Sequence, residues 1–331
     1  MRVRDDAIRE LLDGGPWDDG TLRRNLRDIR RINGLLGWRA AVVRGVAREV
    51  RAAGLRTFSL LDVASGSADI PAAIARWAAH AGISARIVAS DLSPQIVAIA
   101  REQSAGVPGL SVEWQDALAL SYPAGSFDFV LCALALHHFA PADAVRLLRE
   151  LARVGRRVLV YDVQRARLAY LGVIALTRLL RMDPMTCHDA PATVRRAYSA
   201  GELRALAERA GLRNARVQVR VPYRLVLVAD GERAYGERGG RGDIAEVADI
   251  REREGRERDA REAHTKDATN HDLPPSSSAS SASSAVALSS FFSPRPPRSS
   301  AFSAFSVSSP SQLSRILRVL RVQRISRECG P

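Results

Sequence analysis

The chain has 331 residues, of which 46% are hydrophobic and 5% aromatic, and it carries a formal net charge of +13 at pH 7. Its three cysteines are too few and too scattered for a disulfide framework or a zinc motif. The basic charge is almost all arginine, with Lys266 as the single lysine. A biased coding sequence accounts for this better than a polyanion-binding surface. The charge therefore predicts weak attraction to nucleic acid or anionic lipid, and no specific nucleic-acid partner.

The N-terminal residues 1–55 are predicted to form a helical cap. A short helix covers Asp5–Leu12 and is broken by the glycines and proline that follow. Asp19 is expected to cap a second helix over Leu22–Ile32, where apolar residues recur at helical spacing. A third helix is predicted over Leu35–Ala53.

The core, residues 56–230, alternates strands with helices, which predicts an α/β fold with a largely parallel sheet. After the last crossover come a helix and two strands joined by a short turn, which predicts a closing antiparallel hairpin. The predicted elements are strand Thr57–Val63, helix Ile70–Ala81, strand Ala85–Asp91, helix Pro94–Gln103, strand Leu110–Trp114, strand Phe127–Ala133, helix Pro141–Val154, strand Arg157–Asp162, helix Ala200–Ala210, strand Ala215–Val221 and strand Arg224–Ala229.

Two further segments stand apart from the alternating core. Residues 163–199 form an insertion whose apolar helix, Arg167–Arg181, has arginines at both ends and is expected to serve as a lid over a greasy substrate. Direct contact of this helix with a membrane surface stays open. Residues 231–331 are charged and then serine-rich, and are expected to be a low-complexity, largely disordered tail.

No targeting or spanning segment is expected. The opening residues Met1–Asp6 are charged, unlike a secretory signal. The apolar stretch Leu168–Leu180 is interrupted by Arg178 and is shorter than the ~20 residues of a membrane span. We therefore expect a reduced, soluble, cytoplasmic protein.

The loop after the first core strand carries the strongest chemical signal. Its only glycine is Gly66, whereas a dinucleotide loop requires three glycines so that the backbone can approach a pyrophosphate. Carboxylates at Asp62 and Asp69 flank this glycine, and Asp91 ends the next strand. Fixed negative charges repel a diphosphate and favour a ligand that carries positive charge.

The segment Asp62–Asp69 (DVASGSAD) resembles the first motif of class I S-adenosylmethionine (SAM)-dependent methyltransferases. It is closest to the LDVAxGTGD form of the ubiquinone/menaquinone-type and related small-molecule enzymes. Gln115–Ala117 and the LHHF turn after Phe127–Ala133 are similar to later motifs of those families, in the same order and spacing. Ser65 and Ala68 depart from the usual residues, which leaves less room in the loop.

This resemblance implies a Rossmann-like, seven-stranded methyltransferase sheet and SAM as the cofactor. By the same resemblance Asp62 contacts the ligand's amino group, Asp91 holds the ribose and Asp116 meets the adenine. The predicted cofactor-binding residues are Asp62, Ala64, Ser65, Gly66, Asp91, Leu92, Asp116, Ala117 and Ala133.

Histidines supply the candidates for acting on the acceptor. His137 and His138 follow the fourth strand, beside the expected position of the methyl group, and either could take up a hydroxyl proton or position the acceptor. A purely structural role for the turn histidine stays open. His188 is a further candidate from the lid. No paired-ligand spacing appears in the sequence, so no metal is predicted.

The predicted function is methyl transfer from SAM to an oxygen or carbon atom of a small, hydrophobic or aromatic acceptor, such as a polyketide-type phenol or a quinol. Two alternatives stay open: methylation of RNA or protein, and a catalytically idle regulator with the methyltransferase fold. Against the first, no Asn/Asp-Pro-Pro-Tyr motif follows the fourth strand. The oligomeric state is not predicted.

Overall fold

The computed structural model describes residues 3–15 and 17–232. These residues form seven strands, eight α-helices and short 3₁₀ turns. In chain order the elements are a 3₁₀ turn Leu11–Gly14, α1 (Asp19–Leu35), α2 (Trp38–Ala52), β1 (Thr57–Val63), α3 (Asp69–His80), β2 (Ser84–Asp91), α4 (Pro94–Ser104), β3 (Leu110–Trp114), β4 (Phe127–Ala133), a 3₁₀ turn Leu136–His138, α5 (Pro141–Val154), β5 (Gly155–Val163), α6 (Arg167–Leu179), α7 (Pro184–Arg196), α8 (Ala200–Ala210), β6 (Arg213–Arg220) and β7 (Arg224–Asp230).

The strands form one mixed sheet in the order β3-β2-β1-β4-β5-β7-β6. The first five strands are parallel, whereas β7 runs antiparallel to both β5 and β6. Strands β2 and β3 are added on one side of β1, and β4 and β5 on the other, so the strand order reverses between β1 and β4. Ligands of such sheets bind outside the carboxyl ends of the strands at that point. The predicted α/β sheet with its closing antiparallel hairpin is confirmed.

Two apolar clusters cover the two faces of the sheet. On one face α5 and α8 pack against β4, β5 and β7, with Leu147, Leu151 and Leu203 buried between them. On the other face α2 and α3 pack against the same central strands through Val46 and Ile74. Because both faces are covered, the central strands are apolar almost throughout, as parallel strands require. The polar groups that the strands do carry are concentrated where they end.

The predicted helix over Asp5–Leu12 is wrong. Residues 3–10 form no helix, and a 3₁₀ turn covers Leu11–Gly14. The backbone of this segment bonds instead to distant parts of the chain: the Asp5 N–H donates to the carbonyl of Arg195, and the N–H groups of Leu11 and Leu12 donate to Asp189. These long-range bonds replace the local ones that a helix would make.

The next two helices are close to their predicted positions. The cap of α1 is Asp18 rather than Asp19, since the Asp18 carboxylate accepts from the Thr21 N–H at 2.9 Å. Asp19 is instead the first helical residue and pairs with Arg23. The helix therefore begins three residues earlier than predicted and extends to Leu35.

The insertion before the last crossover contains two helices. The apolar helix was predicted and is α6, whereas α7 was not predicted. Thr177 is the buried residue of α6, and Leu168, Leu171 and Leu179 are 62%, 59% and 69% exposed. No helix in residues 3–15 and 17–232 is both long and apolar enough to cross a membrane. The predicted tail, residues 231–331, lies almost wholly outside the described residues.

Candidate functional site

Three residues of the loop between β1 and α3 adopt the left-handed backbone conformation. Ala64, Gly66 and Ala68 have φ angles of 51°, 55° and 56°. The Ser65 N–H donates to the Ser90 carbonyl at 2.9 Å, which fixes the loop against the end of β2. A Cβ added at Gly66 would meet no atom within 4 Å. The space in front of this glycine is therefore available to a ligand that approaches the backbone.

Three carboxylates surround this loop with little compensating charge. Burial raises the pKa of Asp62 well above its ordinary value, and the neighbouring charges of Asp69 and Asp91 raise it further. The Oδ1 atom of Asp62 is buried and has no hydrogen-bond partner. Buried charges are normally paired. The residues present thus fit a ligand that brings an ammonium or sulfonium group to this loop.

Asp69 is better supplied with partners than Asp62. Two oxygens of Asp69 accept from the Asn33 side-chain amide at 3.4 Å, and the Arg39 guanidinium lies 4.0 Å away. Burial nevertheless raises its pKa. Asn33 and Arg39 belong to the N-terminal helices, so the helical cap reaches the loop directly.

Asp91 is placed as the prediction requires, at the carboxyl end of β2. Its Oδ2 accepts from the Gly66 N–H at 3.0 Å, and its Oδ1 accepts from the Ser93 N–H at 3.1 Å. Burial raises its pKa against the effect of these bonds. Each carboxylate oxygen retains a second lone pair for a ligand hydroxyl.

The predicted adenine end lies at the ends of β2 and β3. The Asp116 carboxylate accepts from the Leu118 N–H at 2.8 Å through Oδ1. Ala117 is buried, whereas Leu92 is 58% exposed and its carbonyl accepts from the Trp114 indole at 2.7 Å. Ala133 is the buried last residue of β4. The assignment of these residues to the cofactor stays a prediction.

Replacing Asp91 with alanine is expected to weaken SAM binding by about 2–3 kcal/mol through the loss of charge-assisted hydrogen bonds. Isothermal titration calorimetry with SAM measures this change. Asp128→Ala is the matched control, because its carboxylate also anchors a neighbouring strand, accepting from the Ser59 N–H at 2.8 Å and hydroxyl at 2.9 Å, but at the opposite end of the sheet. Unchanged affinity in Asp91→Ala would refute the ribose assignment.

A parallel sheet closed by an antiparallel β7, a single-glycine loop after β1 and an acid ending β2 are together typical of the class I SAM-dependent methyltransferase fold. Residues 60–157 match the family described as a methyltransferase domain. The predicted resemblance and the SAM cofactor that it implies are thereby confirmed.

Curated relatives support the same assignment. The chain is 39% identical over 131 residues to a demethylmenaquinone methyltransferase of Deinococcus radiodurans, covering 38% of this chain and 48% of the relative. It is 37% identical over 108 residues to the enzyme of that name from Thermus thermophilus, covering 31% and 46%. The matched part therefore spans about half the length of these relatives.

Among solved structures, a SAM-dependent methyltransferase from Aquifex aeolicus is similar with a TM-score of 0.46 and 20% identity, covering 65% of this chain and 98% of that one.

His137 is buried in the turn after β4 and is held by Asp162, the penultimate residue of β5. Its Nδ1 lies 2.8 Å from the Asp162 Oδ1, and its backbone N–H donates to Oδ2 at 2.9 Å. The Asp162 carboxylate also accepts from the Val163 N–H at 2.7 Å. A carboxylate accepts only, so Nδ1 carries a proton, and Nε2 is the ring nitrogen that faces away from Asp162.

His138 stacks beside it, with the ring centroids 4.4 Å apart. Its Nδ1 lies 3.0 Å from an oxygen of Asp13, and its Nε2 lies 3.8 Å from Glu10. Burial lowers the pKa of His138, but the charges of Glu10 and Asp13 outweigh this and raise it to about 9. The side chain is 25% exposed, so this histidine lies at the open side of the turn.

The third candidate for acting on the acceptor is placed differently. His188 lies on α7 with its Nδ1 2.9 Å from Asp189, and it is not among the groups that converge on the two-histidine turn.

Sequence reasoning missed Glu10 and Asp13, which reach the histidines from the N-terminal segment. Hydrogen bonds hold this N-terminal segment against the turn, since the Arg4 guanidinium donates to the carbonyls of His137 and Phe139 at 2.9 Å each. No spacing in the sequence links residues so far apart. Two isolated acids in a charged N-terminal segment are not a signal that could have revealed them.

Proposed function

We propose that this chain transfers a methyl group from SAM to an oxygen or carbon atom of a small hydrophobic or aromatic acceptor of quinol or phenol type. In this proposal residues 1–55 cap the site, residues 56–230 form the SAM-binding domain with a lid at 163–199, and residues 231–331 are a dispensable tail. The observation that carries the proposal is the buried Asp62 carboxylate, whose Oδ1 has no hydrogen-bond partner, beside the open face of Gly66.

This arrangement selects a cationic ligand. The orphaned Oδ1 of Asp62 lies in the field of two further acids, Asp69 and Asp91, so a positive charge delivered to the loop is stabilised by all three. The two lone pairs still open on Asp91 suit the vicinal hydroxyls of a ribose. Asp62, Ala64, Ser65 and Gly66 would hold the amino-acid end, and Asp91, Leu92, Asp116, Ala117 and Ala133 the nucleoside.

The lid helix supports a hydrophobic acceptor. An apolar helix with most of its leucines left exposed has a face available for a greasy molecule. The matched relatives are named as demethylmenaquinone methyltransferases, which also favours a quinol-type acceptor. No feature of the described residues favours RNA or protein as the acceptor.

When bound, SAM supplies an electrophilic methyl group to a nucleophile in line with its sulfur. The task of the protein is to orient the acceptor and to exclude water. His137 and His138 lie at the carboxyl edge of the sheet, at the end of β4. In this proposal His137 and the adjoining carboxylates take up the proton of an acceptor hydroxyl, whereas His138, whose raised pKa keeps it protonated at neutral pH, positions the acceptor. Loss of the hydroxyl proton raises the nucleophilicity of both the oxygen and the aromatic ring. His188 is a second candidate from the lid.

Two measurements test the proposal in order. Calorimetry with SAM should give saturable binding, with NAD as the comparison ligand that does not bind. Turnover with radiolabelled SAM against a panel of quinols, phenols, RNA and protein should then transfer the methyl group to a quinol or phenol. Preference for NAD would overturn the cofactor, and transfer confined to RNA or protein would overturn the acceptor class.

Deleting residues 240–331 is expected to leave SAM affinity and turnover within about twofold of the full chain. The serine-rich composition of this region cannot bury enough apolar surface to build part of the site. The comparison uses the same calorimetric and radiolabel assays on the two proteins. A large loss of turnover in the truncated chain would show that the tail belongs to the functional unit.

A further inference from the structure

Three side chains from distant parts of the sequence converge behind the proposed acceptor site. One ring nitrogen of His137, one of His138 and a carboxylate oxygen of Glu10 all lie within 4.8 Å of one another. From these residues we infer that the chain binds a divalent transition-metal ion of the zinc type, with Glu10, His137 and His138 as its ligands.

The distances match a shared ion better than direct hydrogen bonds. His137 Nε2 lies 3.5 Å from Glu10 Oε1, and His138 Nε2 lies 3.8 Å from Glu10 Oε2. Both separations exceed the range of an N–H···O bond. Ligands held at about 2.0–2.1 Å from a tetrahedral Zn²⁺ lie about 3.3–3.4 Å apart, so small side-chain shifts would close the site.

The groups behind each ligand are those that metal-bound residues require. Asp162 lies 2.8 Å from Nδ1 of His137, and Asp13 lies 3.0 Å from Nδ1 of His138. Carboxylates in these positions keep the proton on Nδ1 and direct the Nε2 lone pair at a metal. The Thr193 hydroxyl donates to Glu10 Oε1 at 2.9 Å and fixes the third ligand.

The charge of the cluster also calls for a cation. Three carboxylates, those of Glu10, Asp13 and Asp162, surround the two imidazoles, and the Arg196 guanidinium contacts Asp13 at 2.8 Å. Glu10 and Asp162 face the imidazoles and neutral donors. A divalent ion bound between Glu10 and the two imidazoles would be attracted by all three carboxylates.

The coordination leaves a position for the acceptor. His137 and Glu10 are almost fully buried, whereas His138 is a quarter exposed. Three protein ligands with an open side are typical of catalytic rather than structural zinc sites. An ion here would lower the pKa of a coordinated acceptor hydroxyl and so assist the methyl transfer proposed above. The sequence did not predict this site, because Glu10 is remote in the chain from both histidines and no metal-ligand spacing links them.

Metal binding can be tested apart from methyl transfer. The full chain, stripped with a chelator and dialysed, is titrated with Zn²⁺ against a chromophoric indicator and with Co²⁺ by visible absorption. We expect one equivalent of tightly bound Zn²⁺, a Co²⁺ spectrum of low coordination number, and a higher melting temperature with metal. Failure to bind either ion at micromolar concentration would overturn the proposal.

Variants locate the ion and distinguish the loss of a ligand from misfolding of the chain. Glu10→Gln is nearly isosteric and keeps an acceptor for Thr193, and His138→Asn changes the exposed ligand. Asp162→Asn removes a carboxylate that supports His137 and should weaken Zn²⁺ binding by about 10–100-fold. Each of the two ligand changes should weaken Zn²⁺ binding by at least as much. His188→Ala and the double change His264→Ala, His271→Ala should bind Zn²⁺ like the parent. Binding that survives in Glu10→Gln and His138→Asn, or is lost in either control, places the ion elsewhere and overturns the site.

The outcomes of this test and of the SAM titration are independent. A chain that binds SAM but no metal retains the proposed methyltransferase function and loses the inferred ion. A chain that binds metal at this cluster but ignores SAM retains the ion site and loses the proposed function.

Discussion

Replacing His137 with alanine is expected to slow methyl transfer by about 10²–10⁴-fold while leaving SAM affinity within a few-fold of the parent. That range is the usual contribution of a group that takes up or positions a reacting proton. The imidazole lies in the turn after β4, whereas Asp62 and Asp91, which are assigned to SAM, lie at the carboxyl ends of β1 and β2. Loss of the ring should therefore affect kcat rather than cofactor binding, as measured by steady-state turnover and calorimetry.

The fold is expected to survive this change. Without the ring, the Asp162 carboxylate still accepts from the backbone N–H groups of residue 137, at 2.9 Å, and of Val163, at 2.7 Å, so it is not left without partners. Circular dichroism and thermal unfolding check this directly. His80→Ala is the control, because that histidine is exposed at the end of α3 and bonds to the carbonyl of Arg76. Equal turnover in His137→Ala and the parent, or a collapse of SAM affinity, would assign His137 a structural role.

The sequence was most informative where the structure is determined by local pattern and by burial. The bounds of β1, β3, β4, α5 and α8 agree with the predicted residues. A strand covered on both faces must be apolar along its length, and its ends are marked by turn residues. The capping box of Ser199 and Glu202 could likewise be predicted from the sequence, because both of its hydrogen bonds lie within one helical turn.

The predictions were wrong where backbone groups bond to residues distant in the chain instead of to their neighbours. The segment around Asp5 has helical composition, yet its backbone donors are taken by Arg195 and Asp189. Helix α7 was missed because Pro191 lies inside it and weighs against a helix in any local reading. Tertiary contacts decide both cases, and no window of the sequence contains them.

The candidate site divides in the same way. The cofactor acids could be predicted because Asp62 and Asp91 each lie at the carboxyl end of an apolar strand, so the topology of the sheet brings them together. The surroundings of His137 could not be predicted from the sequence, because they depend on the N-terminal segment folding back to bring Glu10 against the turn. A motif can thus predict which strand end carries a histidine, but not what charges will surround it.

Replacing Asp62 with asparagine is expected to change stability and SAM affinity in opposite directions. In the free protein this carboxylate is buried with Oδ1 unpaired, so removing its charge should raise the free energy of unfolding by about 1–3 kcal/mol at neutral pH. In the complex the same charge would face the ligand's cationic group, and its loss should weaken SAM binding by about 2–5 kcal/mol. Thermal unfolding and calorimetry on one preparation measure the two effects.

The pH dependence provides a second measurement with a defined sign. Burial, and then the charges of Asp69 and Asp91, hold the pKa of Asp62 in the folded protein above its unfolded value. The folded state therefore binds more protons than the unfolded state, and stability falls as the pH rises from the ordinary carboxyl range through the raised pKa. Asp62→Asn should flatten this decline without abolishing it, because the pKa values of Asp69 and Asp91 are also raised.

Asp69→Asn is the matched comparison for these experiments. Asp69 already accepts from Asn33 and lies near Arg39, so removing its charge relieves less unfavourable burial and should stabilise the free protein less than Asp62→Asn does. If Asp62→Asn instead lowers the melting temperature and leaves SAM affinity unchanged, the carboxylate is a structural element of the loop. The selection of a cationic ligand would then have to come from other residues.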